Sequence, residues 1–331
     1  MGNRDIIVLG SSAGGVQALR RVIGDLPKDL PAAVFVVQHI APFGKSAMPA
    51  ILSRCSAMEA RHPKDGEPIR HGTIYVAPPD YHLLIEDGAV RLSRAPTENG
   101  HRPAVDVLFR SAADRYGPRV IGVVLTGNLD DGTAGLAAVK RKGGLALVQD
   151  PDEADYSGMP TSAMENVDVD HVLRLERIGP MLDRLCREAV DPPADPPAGD
   201  QGSPDRKEKL ERGEDREAGG SPSEFTCPEC GGALWESHEN ALVHFRCRTG
   251  HAYAPESLLA KQEESLEASM WAAVRALEEN AAFARRMERW MTKRESTAGQ
   301  TRYSQRAREA ESHAEALRKL LVEETAQSKT G

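Results

Sequence analysis

A serine between glycines is the first feature of this sequence that could do chemistry. Ser12 lies in Gly10-Ser-Ser-Ala-Gly14, between a short β-branched run and a helical pattern. In the G-x-S-x-G arrangement, a strand-to-helix turn presents a serine hydroxyl at the carboxyl edge of a sheet, where helix N–H groups can stabilise an oxyanion. A glycine-rich phosphate loop or an ordinary tight turn is the alternative. The dinucleotide pattern G-x-G-x-x-G fails because Ser12 occupies the position of its second glycine.

A serine nucleophile needs a base, and the base needs a carboxylate that orients it. His39 follows the buried run 33–38, so we expect it at the same sheet edge as Ser12. A third buried run, 120–125, is followed by Asp130 and Asp131. Spacing alone does not choose between these two aspartates, and a turn with a helix N-cap is their alternative role.

The elements that must position these residues alternate between strand and helix patterns over residues 5–190. Buried β-branched runs between helices predict an α/β fold with a doubly wound, mostly parallel sheet. Residues 59–93 differ, because turn signals between short apolar runs predict a hairpin insertion there, including a strand at 73–77.

Composition restricts the class of protein. The chain has 331 residues, 40% of them hydrophobic, and a net charge of −8. This charge disfavours binding to nucleic acid or to an anionic membrane. No apolar run approaches the ~20 residues of a membrane span, and the first residues are too short and interrupted for a signal peptide. We therefore expect a cytoplasmic protein without membrane insertion.

A cysteine cluster indicates a metal site. Cys227 and Cys230 form C-x2-C, and Cys247 and His251 form C-x3-H. Such pairs place two ligands on one tight turn, which suits tetrahedral zinc. We predict a structural Zn²⁺ in a zinc-ribbon-like module over 225–254, with no cofactor for catalysis. The remaining histidines near the module are back-up fourth ligands, His238 and His244.

The rest of the chain divides by composition. Residues 191–224 are rich in proline and charge and predict a disordered linker between a catalytic domain, 1–190, and the module. Residues 255–331 carry apolar positions near heptad spacing and predict a helical hairpin or coiled coil with a frayed tail, broken at Gly299. These helices could also pair two copies as a homodimer. Trp271 and Trp290 are further expected packing residues. The expected stripe is Leu259, Leu266, Met270, Ala273, Leu277, Ala281, Ala284 and Met291 in the first helix and Tyr303, Ala307, Ala310, Ala314, Leu317 and Leu321 in the second.

Seven motifs, in order, resemble the catalytic domain of the chemotaxis protein-glutamate methylesterase family. They cover nearly all of residues 5–190, and their joint occurrence is far more specific than any one of them. The motifs are Gly10-Ser-Ser-Ala-Gly-Gly15, Gln38-His39, Ile74-Tyr-Val-Ala-Pro-Pro-Asp-Tyr-His-Leu83, His101-Arg-Pro-Ala-Val-Asp-Val-Leu-Phe109, Gly122-Val-Val-Leu-Thr-Gly127, Asp131-Gly132 and Gly158-Met-Pro160.

The resemblance implies a catalytic triad of Ser12 as nucleophile, His39 as general base and Asp131 as orienting carboxylate. It implies oxyanion donors from the backbone near Ala13 and Asn128. The implied substrates are glutamate γ-methyl esters on chemoreceptors or related signalling proteins, with glutamine deamidation as a second activity and a methyltransferase as a further partner. Two positions depart from the family: Ala13 stands where some members have threonine, and Asn128-Leu-Asp130 replaces the more usual Met-Gly-Asn.

Two other classes of function remain to be compared with an esterase acting on receptors. One is a non-catalytic zinc-ribbon scaffold on an esterase fold, and the joint presence of Ser12, His39 and Asp131 argues against it. The other is a small-molecule esterase, which activity on a model ester relative to a methylated receptor would reveal. Only four residues precede the first predicted strand. We therefore expect no N-terminal receiver domain and no control by phosphorylation within the chain.

Overall fold

The computed structural model describes residues 2–44, 46–86, 88–190, 220–239 and 242–327. The chain forms two compact units, Met1–Leu258 and Leu259–Gly331. The predicted triad and the cysteine cluster both belong to the first unit. Among the described residues, no helix combines the length and the apolarity that a membrane span requires.

The first unit alternates strands and helices over the predicted catalytic domain. Its strands are β1 (Gly2–Asn3), β2 (Ile6–Ser11), β3 (Ala33–Gln38), β4 (Glu59–Arg61), β5 (Thr73–Val76), β6 (His82–Glu86), β7 (Ala89–Ser93), β8 (Val120–Val124), β9 (Leu145–Gln149), β10 (His171–Leu173) and β11 (Ala189–Val190). Its helices are α1 (Gly15–Gly24), α2 (Met48–Cys55), α3 (Val105–Tyr116), α4 (Thr133–Arg141), α5 (Gly158–Asn166) and α6 (Leu175–Arg187).

Seven strands form one parallel sheet in the order β10-β9-β8-β2-β3-β5-β4. Strand β2 is central and all of its residues are buried, because helices cover both faces of the sheet. Ile7 and Leu9 pack in the core beneath α1, α2 and α6, whereas Ile6 and Val8 pack in the core beneath α3, α4 and α5. The predicted doubly wound fold is confirmed. The strand order reverses at β2, and a crevice at the carboxyl end of such a strand is the usual functional site.

The region 59–93 is only partly the predicted hairpin insertion. Strands β6 and β7 pair antiparallel as expected, with the turn residue 87 outside the described residues. Strand β5 does not join them. It pairs parallel with β3 and β4, because its residues are buried on both faces and therefore suit the central sheet.

The cysteine module is a small antiparallel sheet of β12 (Ser221–Thr226), β13 (Ala233–Glu239), β14 (Leu242–Cys247) and β15 (Ala252–Tyr253). Strand β12 begins inside the predicted linker 191–224, so that boundary is corrected. Its residues are mostly polar and mostly exposed, and pairing with β13 stabilises them where composition gives no strand signal. Residues 191–219 lie outside the described part of the chain.

Two long helices, α7 (Pro255–Lys293) and α8 (Thr297–Gln327), follow the module. In the second unit they run antiparallel, and ion pairs join Arg285 to Glu311 and Arg318 to Glu278. The break between them lies at 294–296, so the predicted break at Gly299 is wrong. Gly299 lies within the first turn of α8, where helix starts tolerate glycine.

The apolar stripe of these helices agrees with the prediction in part. Leu259 and Leu266 are more than half exposed, and Trp271 and Trp290 are 44% and 41% exposed. The predicted alanines other than Ala273 are buried, as are Leu321 and Val274, and small side chains let two helices approach closely. The buried positions are Val274, Ala281, Ala284, Ala307, Ala310, Ala314 and Leu321. The end of the tail, 328–331, lies outside the described residues.

Candidate active site and Cys/His cluster

The turn that carries Ser12 connects β2 directly to α1. Gly14 has φ +73, a left-handed conformation that glycine adopts without strain, and caps the N-terminus of α1. Gly15 has no room for a side chain, because a Cβ there would lie 2.1 Å from the Oε1 atom of Gln38. The Ser12 N–H donates to the carbonyl of Thr126 at 3.0 Å. Ser12 is therefore held, half-buried, at the carboxyl edge of the sheet.

His39 emerges beside Ser12 because the strands that precede them are paired in register. Ser11, the last residue of β2, lies opposite Gln38, the last residue of β3. The next residues, Ser12 and His39, therefore leave the sheet side by side. The Nδ1 atom of His39 lies 3.1 Å from the Ser12 hydroxyl oxygen.

Asp131 approaches the same imidazole from the loop between β8 and α4. Its Oδ2 lies 2.7 Å from Nε2 of His39, and the two side chains are only 2% and 7% exposed. A carboxylate facing Nε2 favours the tautomer with the proton on Nε2. Nδ1 then carries a lone pair and can accept the proton of the Ser12 hydroxyl. Three side chains from three loops thus form one hydrogen-bonded relay.

The carboxylate of Asp131 is satisfied by donors from the other side. Backbone N–H groups of Val105 and Asp106, at the start of α3, donate at 2.8 and 3.1 Å, and the Asn99 amide donates at 3.0 Å. Burial alone would raise the pKa of Asp131, but the hydrogen bond and charge of His39 and the Val105 N–H outweigh it and hold that pKa below its usual range. Asp131 is therefore a fixed anion that can stabilise an imidazolium.

The adjacent aspartate, Asp130, has different partners. It accepts hydrogen bonds from the N–H of Glu256, at 3.1 Å, and from the Ser257 hydroxyl. Burial raises the pKa of Asp130 to about 6, against the effect of these two donors. Asp131 thus bonds to the histidine, whereas Asp130 bonds to the first turn of α7. Sequence spacing alone did not distinguish the two aspartates.

Three residues of this site were not assigned a role from sequence. The Gln38 amide donates to the carbonyls of Ser12 and His39, at 2.7 and 3.0 Å. The ring of His101 stacks on His39, with centroids 3.7 Å apart and planes 15° apart. A polar residue ending a fully buried strand is a signal that could have found Gln38. Asn99 has no local signal, because its partners are remote in sequence.

The two expected oxyanion positions are Ala13 and Asn128. Ala13 follows Ser12, and its carbonyl accepts the Thr126 hydroxyl at 3.0 Å. Gly127, which precedes Asn128, lies against Ser12, because a Cβ on it would approach the Ser12 Cβ to 2.8 Å. Leu129 adopts φ +62, a conformation that favours glycine. The departure from the family's Met-Gly-Asn therefore places a leucine where the backbone suits glycine.

The predicted metal ligands also lie together. Potential ligand atoms of Cys227, Cys230, Cys247 and His251 all lie within 4.8 Å of one another. The sulfur atoms of Cys230 and Cys247 are 3.7 Å apart. A tetrahedral site with Zn–S bonds of about 2.3 Å has a sulfur–sulfur edge of about 3.8 Å, so the spacing fits zinc.

The histidine of this cluster is oriented as metal-bound histidines are. Its Nδ1 lies 3.5 Å from the sulfur atoms of Cys227 and Cys247, and its Nε2 lies 3.4 Å from the Glu229 carboxylate. A carboxylate on the distal nitrogen fixes the tautomer and ring orientation of a ligating histidine. All four members are protein side chains, which is typical of a structural site rather than a catalytic one.

A serine, a histidine and an aspartate joined at the switch point of a doubly wound sheet form the arrangement that serine hydrolases use. The family model for CheB methylesterase matches residues 7–182, which is more than half of the chain. The chain belongs to the CheB methylesterase family, and it is an ester hydrolase.

Relatives with curated names share this domain. A Leptospira interrogans protein, provisionally named a protein-glutamate methylesterase/protein-glutamine glutaminase, is 41% identical over 184 residues, which are 55% of this chain and 95% of the relative. A Xanthomonas campestris protein-glutamate methylesterase/protein-glutamine glutaminase is 42% identical over 56% of this chain and 52% of its own length. The chain thus spans about half the length of this second relative.

A solved structure supports the same assignment. The Thermotoga maritima CheB methylesterase catalytic domain is 36% identical to this chain, with a TM-score of 0.53. The similarity covers 56% of this chain and 99% of the other. The matched half contains the triad, whereas the Cys/His module lies beyond the region that the family model matches.

Proposed function

We propose that this chain hydrolyses γ-methyl esters of glutamate side chains on a chemoreceptor or a related signalling protein, and that the same site deamidates glutamine side chains. The observation that carries the proposal is the relay from the Ser12 hydroxyl through His39 to Asp131, with distances of 3.1 and 2.7 Å. The names of the relatives agree with these activities.

The relay supplies the first step of the mechanism. Nδ1 of His39 accepts the Ser12 proton while the serine oxygen attacks the ester carbonyl. The imidazolium that forms is stabilised by the buried anion of Asp131. The N–H groups of Ala13 and Asn128 are our candidates for the oxyanion donors, and each such donor typically contributes about 10²–10³-fold to the rate. His39 then gives its proton to the oxygen of the departing methoxide, methanol leaves, and an acyl-enzyme remains on Ser12.

Water completes the reaction. His39, neutral again, removes a proton from water that attacks the acyl-enzyme, and it returns that proton to Ser12 when glutamate is released. A glutamine side chain would follow the same course with ammonia as leaving group. A groove whose lining includes Ile40, the residue after His39, has apolar walls that suit the residues flanking a modified side chain. Its other lining residues include Val16, Met48, Ile51 and Pro79.

We also propose that Cys227, Cys230, Cys247 and His251 hold a structural Zn²⁺. The support is the mutual spacing of the ligand atoms and the carboxylate behind His251. Such an ion supplies folding free energy to a module whose core is small, and it takes no part in catalysis. A cytoplasmic location, in which thiols stay reduced, suits this ligand set.

The function is tested by methanol release from a methylated receptor fragment. The full chain should release methanol, Ser12→Ala should reduce the rate to background, and Ser269→Ala, an exposed serine on α7, should match the wild type. Methanol release that persists in Ser12→Ala would show that the nucleophile is wrong. Activity on a simple ester with none on the methylated receptor would instead support a small-molecule esterase.

A further inference from the structure

The Cys/His module lies against the turn that holds the catalytic carboxylate. This turn, Glu98–His101, is closed by hydrogen bonds between the backbones of its end residues, at 3.1 and 2.9 Å. Its central residues, Asn99 and Gly100, have φ +54 and +72. Positive φ at both positions of an Asn-Gly pair is typical of a tight type I′ turn.

The side chain of Asn99 reaches both the triad and the module. Its amide nitrogen donates to Oδ1 of Asp131 and to Asp106, each at 3.0 Å. Its amide oxygen accepts the N–H of Ala254 at 2.8 Å. Asn99 is only 1% exposed, so these bonds have no competing water. A single side chain therefore connects residue 254 to the triad carboxylate.

The module also holds the backbone of the turn. The Asn99 N–H donates to the carbonyl of Ala252 at 2.8 Å, and the Ala252 N–H donates to the backbone carbonyl of Thr97 at 3.3 Å. The Thr97 hydroxyl donates to the carboxylate of Glu229 at 2.5 Å. Glu229 lies inside the C-x2-C pair, and its other oxygen faces His251. The cluster and the turn thus share one carboxylate.

A second contact joins the module to the triad loop. Asp130, the neighbour of Asp131, accepts the Glu256 N–H and the Ser257 hydroxyl. These donors belong to the first turn of α7, which directly follows β15. The segment 252–257 therefore contacts both the turn that bonds Asp131 and the residue beside it in the chain.

We propose that the Cys/His module completes the active site, with Asn99 as a positioning residue that transmits the order of the module to Asp131. This inference rests on the proposed triad chemistry. When the module is folded, Ala252 and Ala254 fix the Asn99 amide against the carboxylate, and Asp131 holds His39 in line with Ser12. When the module opens, the turn loses these bonds and the relay loses its alignment. Hydrolysis therefore depends on a module outside the catalytic sheet.

The test uses full-length variants that act at the two ends of this connection. Asn99→Gly keeps the positive φ of the turn and removes the bridging amide. Leu234→Ala removes a fully buried side chain of the module core, and Cys247→Ser opens the module by a second route. Glu224→Gln, an exposed change on β12, is the matched control. Two readouts are measured: hydrogen exchange of amides 97–106, and the rate at which a fluorophosphonate labels Ser12.

We expect the module variants to raise exchange at 97–106 and to slow labelling about tenfold, the lower range for loss of a supporting hydrogen bond at a site. Asn99→Gly should slow labelling similarly, with kcat on a small ester reduced and KM unchanged. The double variant Asn99→Gly/Leu234→Ala should be labelled at the rate of the slower single variant, within about threefold. The two effects should not add, because both changes break the same connection. Glu224→Gln should match the wild type in both readouts.

Electrostatic positioning is separated from a merely structural role by Asn99→Asp. This change keeps an acceptor for the Ala254 N–H but places a like charge beside Asp131. The rate of fluorophosphonate labelling should therefore fall below that of Asn99→Gly. If Asn99→Asp were labelled as fast as Asn99→Gly or faster, the positioning role of Asn99 would be overturned. If hydrogen exchange over 227–253 showed that the module had opened while exchange at 97–106 stayed unchanged, the proposed connection would be overturned, even if the variant were inactive. Failure of wild type to be labelled at all would instead contradict the triad.

Discussion

The catalytic edge of the sheet and the Cys/His module obtain their order from different sources. Ser12 and His39 are placed by the register of two buried parallel strands, within a core that extends over both faces of the sheet. The module has six residues in its buried core, two of which are the cysteines 227 and 247. The first site follows from topology and burial, whereas we propose that the second depends on a metal ion that joins its ligand atoms. Removing one stabilising element should therefore affect the two regions very differently.

Removal of metal should give the largest difference between the regions. Structural zinc contributes ~10 kcal/mol or more to the folding of small cysteine/histidine modules. We expect EDTA to abolish exchange protection over 220–258 while the buried strands β2, β3 and β8 keep theirs. Hydrogen exchange with mass spectrometry is the measurement, and Cys247→Ser should show no further response to EDTA. Equal protection with and without EDTA would mean that no metal stabilises the module.

A change in the relay itself should leave both regions folded and remove activity. Asp131→Asn takes away the anion that selects the His39 tautomer, and the corresponding change in another serine hydrolase lowers kcat about 10⁴-fold. We expect a loss of about 10³–10⁴-fold in methanol release, with KM changed little. The control, Asp130→Asn, should lose far less. If the losses of the two variants were reversed, Asp130 would be the catalytic carboxylate.

The boundary between the regions should respond to pH. The pKa of Asp130 is raised to about 6 in the folded chain, with Glu256 and Asp131 as the nearby acidic groups. Between pH 4 and 6 the folded state therefore binds more protons at this site than the unfolded state, so its contribution to stability falls as pH rises through 6. A rise of roughly two pKa units corresponds to about 3 kcal/mol.

Asp130→Asn removes this titration while keeping an acceptor for Ser257. Its free energy of unfolding, relative to wild type, should improve by about 2–3 kcal/mol between pH 4 and pH 8. Urea unfolding at the two values measures the difference. A constant difference would show that Asp130 ionises normally and that its contact with α7 is not coupled to pH.

The loop beside the nucleophile should show the smallest effect. Leu129 has φ +62, which costs a residue with a side chain on the order of 1 kcal/mol. Leu129→Gly should therefore keep activity and stabilise the catalytic sheet by up to about 1 kcal/mol, offset in part by the greater chain entropy of glycine. Thermal unfolding is the measurement, and Leu129→Ala, which keeps a Cβ, is the control. A clear loss of stability in Leu129→Gly would show that the leucine side chain outweighs the strain.

Sequence predicts the catalytic region well because its signals are local. The buried runs that end at Ser11 and Gln38 define strands, and polar residues that follow such strands are expected at one sheet edge. The pairing of β5 with β3 was missed, since a short apolar run suits a hairpin and a buried parallel strand equally. The roles of Asn99 and His101 depend on contacts with remote segments, and no local pattern contains them.

The second region was predicted less completely for a physical reason. Ligand spacing reveals the four metal-binding candidates, because two tight turns need short separations. Strand β12 is mostly polar and mostly exposed, so pairing with β13, not burial, stabilises it as a strand. In the helices, the heptad pattern correctly included Ala281 and Ala307, which are buried, but it also included Leu259 and Leu266, which are exposed. Periodicity alone does not show which members of a stripe meet the other helix.

The central claim is that Ser12, activated by His39, is the nucleophile. The most direct measurement is peptide mapping by mass spectrometry after the full chain reacts with a fluorophosphonate. We predict one phosphonyl group, located on the hydroxyl of Ser12, and none in His39→Ala over the same time. An adduct on Ser11, or no adduct on a preparation that releases methanol from the receptor, would contradict the account.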